Sequence, residues 1–98
     1  MPNRNYIKGR QHEYRCLNIL KRQGALWAKR SYGSKGIFDC WAVFPDKVVL
    51  IQVKSNYCSK AEYAWLSEFA KKIKTPNIKV QLWYFRRPRI PPEIKSLN

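Results

Sequence analysis

Near the start of the chain Cys16, Leu17 and Leu20 follow Glu13 at i+3, i+4 and i+7, the spacing that puts side chains on one helix face. A helix over residues 9–23 is therefore predicted, stopped by Gly24, whose missing Cβ suits the left-handed position past a helix end. Residues 25–30 read as a short strand, and Ser31-Tyr32-Gly33-Ser34-Lys35-Gly36 as a loop. The period then changes to two. A strand over 37–44, a turn at Pro45-Asp46-Lys47 and a returning strand over 48–55, rich in β-branched residues, predict a hairpin. Ser59-Lys60-Ala61-Glu62 reads as a capping box, in which the serine oxygen and the glutamate carboxylate satisfy free N–H groups at a helix start. That second helix turns Trp65, Leu66, Phe69, Ala70 and Ile73 inward. Residues 78–85 alternate again, with Val80, Leu82 and Tyr84 on one side of a last strand. Pro88, Pro91 and Pro92 remove backbone donors, so residues 86–98 are expected to form a basic, proline-rich tail without strand or helix, and residues 1–7 a polar arm. The order is αβββαβ, in one domain spanning residues 1–98.

Four polar side chains interrupt this pattern. Glu13 puts a carboxylate on the apolar face of the first helix, although an acid in a first turn also complements the helix dipole. Alternation sets Asp39, Trp41 and Val43 on one face of the hairpin's first strand, and Val48, Leu50, Gln52 and Lys54 on one face of its second. A two-residue loop at Asp46-Lys47 would pair Asp39 with Lys54 and Trp41 with Gln52, gathering three polar groups at the hairpin's open end. A charge buried without a partner is unfavourable, so Asp39 and Lys54 are either a structural ion pair or part of a cation site. Glu13 and Gln52 add oxygen donors at the same end. That donor set suits a hard cation, Mg²⁺ or Mn²⁺, which binds through one or two carboxylates and keeps waters and substrate phosphate as further ligands. Such a cation polarises a scissile phosphate and acidifies a bound water, while a lysine placed like Lys54 orients the nucleophile or offsets developing charge.

Charge selects the partner. Lys and Arg number 20 against 6 Asp and Glu, a net charge of +14, so a polyanion is expected, and DNA first, because basic side chains displace the counterions condensed on its phosphates. An anionic membrane fits less well, since the basic residues are spread through strands and loops and no segment reaches the roughly 20 apolar residues a span needs. Cys16, Cys40 and Cys58 are odd in number and match no zinc-finger spacing, which points to reduced thiols and, with no signal-like start, to an intracellular protein, cytoplasmic or in a host cell if viral. His12 is the one histidine, and neither Ser34 nor a cysteine has an activating base nearby in sequence, so covalent nucleophilic catalysis is disfavoured. No glycine-rich nucleotide loop is present. Trp27, Tyr32, Tyr57 and Trp83 are candidates for stacking on bases, or for a core or dimer interface that would bury Trp83 or Phe85.

With Lys8-Gly9-Arg10-Gln11-His12-Glu13, the segment from Arg30 through Ser34 to Gly36, Phe38-Asp39 and Ile51-Gln52-Val53-Lys54-Ser55 in this order, the chain resembles the archaeal-type Holliday junction resolvases of the PD-(D/E)XK nuclease superfamily. The resemblance implies a restriction-endonuclease-like αβββαβ core of the α/β class, with a central mixed sheet flanked by helices. It implies a homodimer that cuts four-way DNA junctions with Mg²⁺. Glu13, Asp39 and Gln52 would then be metal-site residues, Lys54 the catalytic lysine and Ser34 a loop residue near the cut phosphate. Arg30 would contact the DNA backbone, with Lys8, Arg10, Lys35, Arg86 and Arg87 as further DNA-binding residues. The chain departs from the family at Gln52, where Glu is usual, and so lacks one negative charge. A non-catalytic nucleic-acid-binding protein and a general nickase or flap nuclease are the alternatives.

Overall fold

The computed structural model of the protein describes residues 4–31 and 38–98, with side chains from residue 10 onward in the first segment. Helix α1 (Arg4–Arg22) leads into β1 (Trp27–Arg30), followed by β2 (Cys40–Val43), β3 (Val48–Lys54), α2 (Lys60–Lys71), β4 (Ile78–Tyr84) and β5 (Glu93–Ser96). The strands form one sheet in the order β1-β2-β3-β4-β5. Neighbours run antiparallel except β3 and β4, which are parallel and joined through α2, as a crossover connection requires.

Gly24 ends α1 as its position in sequence predicts. Its φ is +99°, and Gly24 N–H donates to Lys21 O while Ala25 N–H donates to Leu20 O, the paired bonds of a Schellman turn. Two cores flank the sheet. On one face Cys16 and Leu20 of α1 bury against Cys40, Ala42, Val49, Ile51, Trp83 and Phe85. On the other, Leu66 and Ala70 of α2 bury against Phe38, Val80 and Leu82. The alternation of β3 divides Val49 and Ile51 from Leu50 between the two, which is the period-2 rule of a strand covered on both sides. The cysteines are free.

Three expectations change, and one open alternative is decided. The helix starts at Arg4, inside the stretch read as a polar arm. Residues 93–96 of the supposed tail form an edge strand: Trp83 pairs with Ile94 and Tyr84 with Glu93, beyond the last proline. Asn98 closes that edge, its Oδ1 accepting from Val80 N–H at 2.8 Å and its Nδ2 donating to Ile78 O at 3.0 Å. Trp65 lies outward, stacked on Phe69. Trp83 and Phe85 are each 1% exposed, so neither is free for bases or for a second subunit.

Candidate active site

The hairpin sets Val43 beside Val48 and Cys40 beside Ile51, a register two residues from the expected one, because residues 44–47 form the turn, closed by Phe44 N–H to Lys47 O. A two-residue shift leaves every side chain on its expected face. It does move Asp39 from Lys54 to the Ile51–Val53 stretch. There Asp39 N–H donates to Ile51 O, and its Oδ2 accepts the Val53 N–H at 2.8 Å. A carboxylate thus occupies the place of a backbone acceptor where β2 begins. Trp41 pairs with Leu50 rather than with Gln52.

Gln52 and Lys54 end β3, and because β4 runs parallel to it, Leu82 and Tyr84 lie alongside at the same edge of the sheet. Helix α1 brings Glu13 to this end from one face. Cys40 Sγ donates to Glu13 O at 3.7 Å, which ties that turn of the helix to the start of β2. Helix α2 brings Glu62 from the other face, its Oε2 2.7 Å from Lys54 Nζ. Both ends of that pair are half-buried.

Burial pushes the Asp39 carboxyl above the ordinary value; the Val53 N–H and the Lys54 ammonium oppose this, and the charge of Glu62 adds to it. Burial also raises Glu13, with the charge of Asp39 as the second cause and Arg30 and Arg10 opposing. The Asp39 charge therefore reaches Glu13 across the end of the sheet, a repulsion that a cation beside them would relieve. Among the described residues no three His, Cys, Asp or Glu side chains gather as a metal cage. The acids fit a hard cation that needs only one or two carboxylates beside waters and phosphate, and Gln52, whose side chain makes no hydrogen bond among the described residues, supplies a further oxygen at that sheet end.

The basic candidates separate. Arg30 lies 3.7 Å from Glu13 and 5.2 Å from the centroid of the Tyr14 ring, so it neutralises the site as well as lining it. Arg10 donates to the Tyr14 hydroxyl. Arg86 is held by Asn56 O at 2.6 Å and by Glu93 at 3.1 Å, while Arg87 is exposed. Ser34, Lys35 and the side chain of Lys8 lie outside the described residues.

Sequence reasoning missed Glu62 as a site residue. Its place in Ser59-x-x-Glu62 suggests a reciprocal cap, and half of that holds: Ser59 Oγ accepts Glu62 N–H at 3.2 Å. The Glu62 side chain instead turns to Lys54. The available signal was that Lys54, left unpaired by any register that gives Asp39 to backbone, needs an acid from the next element.

No protein-family model matches the chain, and no curated protein matches it. Among solved structures it is similar to the Holliday junction resolvase Hjc of the archaeal hyperthermophile Archaeoglobus fulgidus, with 25% sequence identity and a TM-score of 0.63, over 92% of this chain and 73% of that one. The mixed sheet with a helix on each face is α/β and matches the restriction-endonuclease-like architecture of that resolvase.

Proposed function

We propose that the protein is a metal-dependent, structure-selective DNA endonuclease that resolves four-way junctions, a Holliday junction resolvase working as a homodimer. The observation that carries this reading is the convergence of Glu13, Asp39, Gln52 and Lys54 at one end of a sheet whose solved likeness is a junction resolvase. Glu13, Asp39 and Gln52 would hold Mg²⁺ or Mn²⁺. When bound, the cation supplies Lewis acidity toward the scissile phosphate and a more acidic water. Lys54 presents its ammonium to the attacked phosphate, and Glu62 holds that ammonium in place. Arg30, placed beside Glu13 and Tyr14, would bring its positive charge to the DNA backbone. Trp27, partly exposed and packed edge-on against Trp41, gives the homodimer an apolar surface to bury.

The test is incubation of labelled four-way junction, linear duplex and single strand with Mg²⁺ or with EDTA. Paired symmetric cuts in the junction that need Mg²⁺ are expected. Cutting that persists in EDTA would overturn the metal mechanism, and equal cutting of duplex and junction would make the enzyme a general nickase. Gln52 favours one rival reading, a DNA binder without catalysis, because it removes a charge from the cation site. Tight junction binding with no product at any Mg²⁺ or Mn²⁺ concentration would establish that rival.

A further inference from the structure

Residues 86–92 fold back toward α1 on the side away from Glu13, and the two segments enclose a cleft of about 240 Å³ lined by Arg15, Asn18, Ile19, Arg22, Arg89 and Pro91. Three guanidinium groups share it with no carboxylate. The chain's six acids all lie elsewhere: Glu13 toward Arg30, Asp39 on Val53, Asp46 in the hairpin turn, Glu62 on Lys54, Glu68 by Lys71 and Glu93 on Arg86. Like charges gathered without an acid repel one another, so the cleft is electrostatically incomplete.

One of the arginines is set in place before any ligand arrives. Arg15 donates to Ile90 O at 2.9 Å and lies 4.9 Å from the centroid of the Phe85 ring, which fixes its plane and leaves most of its five N–H donors unused. Arg89 has φ +64°, the left-handed region that a non-glycine residue rarely adopts. Such backbone is kept where the surroundings or a ligand require it.

We infer that this cleft is a second nucleic-acid site, one that grips backbone phosphates of the DNA away from the scissile bond. The inference rests on the reading of the protein as a DNA-binding nuclease. Arg22 stands nine residues beyond Glu13 on α1, about 13 Å at 1.5 Å per residue, too far to reach the same phosphate as the acids. From Arg15 to Arg22 the helix advances about 10 Å. That matches roughly three nucleotides of one strand at 3.4 Å each.

The test uses the full chain and the double variant Arg22→Gln/Arg89→Gln, with Lys72→Gln/Lys74→Gln just past the end of α2 as an equal loss of charge. Fluorescently labelled four-way junction is titrated across a range of NaCl. About tenfold weaker binding per arginine is expected at physiological salt. The slope of log K against log salt should fall by about 2, one for each lost phosphate contact, while the rate of cutting at saturating DNA stays unchanged. The lysine variant should leave the slope near that of the wild type. An unchanged slope in the arginine variant overturns the proposal, and so does an equal loss in both variants, which would mean net charge alone. Asn18→Asp, which places an acid in the cleft without removing a side chain, should weaken binding in the same way; binding at wild-type strength counts against the cleft. Wild-type protein that binds junctions without cutting them would remove the nuclease reading and leave this site standing, whereas wild-type protein that does not bind DNA overturns both.

Discussion

Asp39 does two jobs that can be separated by substitution. Its Oδ2 accepts the Val53 N–H at 2.8 Å, and its buried charge, which repels that of Glu13, is the one the proposed cation site would use. Asp39→Asn keeps an acceptor oxygen for Val53 and removes the charge. In metal-free protein the weaker hydrogen bond, a loss of about 1 kcal/mol, is offset by relief of a buried and repelled carboxylate, so stability should change little or rise. Asp39→Ala removes the acceptor as well and leaves a backbone N–H unsatisfied, which costs about 1–3 kcal/mol. For a domain of this size each kcal/mol shifts Tm by roughly 4–8 °C. Urea unfolding in EDTA should therefore rank Asn near wild type and Ala clearly below it, while single-turnover cutting of a four-way junction is lost in both. Equal stability of the two variants would refute the acceptor role, and junction cutting by Asp39→Asn would refute the charge role.

Glu62→Gln should lower the cutting rate about 10- to 100-fold by releasing Lys54, with CD spectrum and DNA affinity preserved; an unchanged rate would make the ion pair incidental. Mg²⁺ should raise Tm, by about 1.4 kcal/mol of stability at tenfold excess over its Kd, and Gln52→Glu should enlarge that gain while lowering Tm in EDTA. Differential scanning fluorimetry reads both, and an identical Mg²⁺ response in the two proteins would take Gln52 out of the cation site. Because the carboxyls of Glu13 and Asp39 are raised in the folded protein, their protonated forms are favoured there. Their contribution to metal-free stability is present below the ordinary carboxylate value and is lost as pH rises through the raised values; Mg²⁺ affinity runs the opposite way. Cutting at limiting Mg²⁺ should accordingly fall off on acidification at a higher pH than an ordinary carboxylate would give, and saturating Mg²⁺ should move the fall lower. Deleting residues 93–98 strips β4 of its outer partner and should produce concentration-dependent association in light scattering, since an unpaired strand edge templates other chains.

The elements most legible in the sequence are those whose patterning has one physical reading. Cys16, Leu17 and Leu20 repeat at helical spacing and Gly24 follows, so α1 and its end are readable; Val49, Leu50 and Ile51 of β3 and Val80, Leu82 and Trp83 of β4 owe their faces to alternation that sheet burial enforces. Strand β5 was hidden because all four of its residues are exposed and carry no alternation, and its pairing is backbone to backbone. The hairpin register was hidden for a related reason. A shift by two keeps every residue on its face, so periodicity cannot choose between pairing Asp39 with Lys54 and seating it against Val53. Trp65 was placed inward by its spacing with Phe69, but aromatic stacking along the helix satisfies it at the surface.

That ambiguity had a chemical consequence. If Asp39 faced Lys54 directly, the two would neutralise each other and the acid would have little call for a cation. Instead the backbone of β3 takes one Asp39 oxygen and Glu62 takes the lysine, so each of the two charges proposed for the chemistry is oriented by a separate group. Glu62 also adds its own negative field at Asp39. Near the strand end where Gln52 is neutral, α2 thus supplies a carboxylate that holds Lys54, through a residue whose sequence context announces only a helix cap.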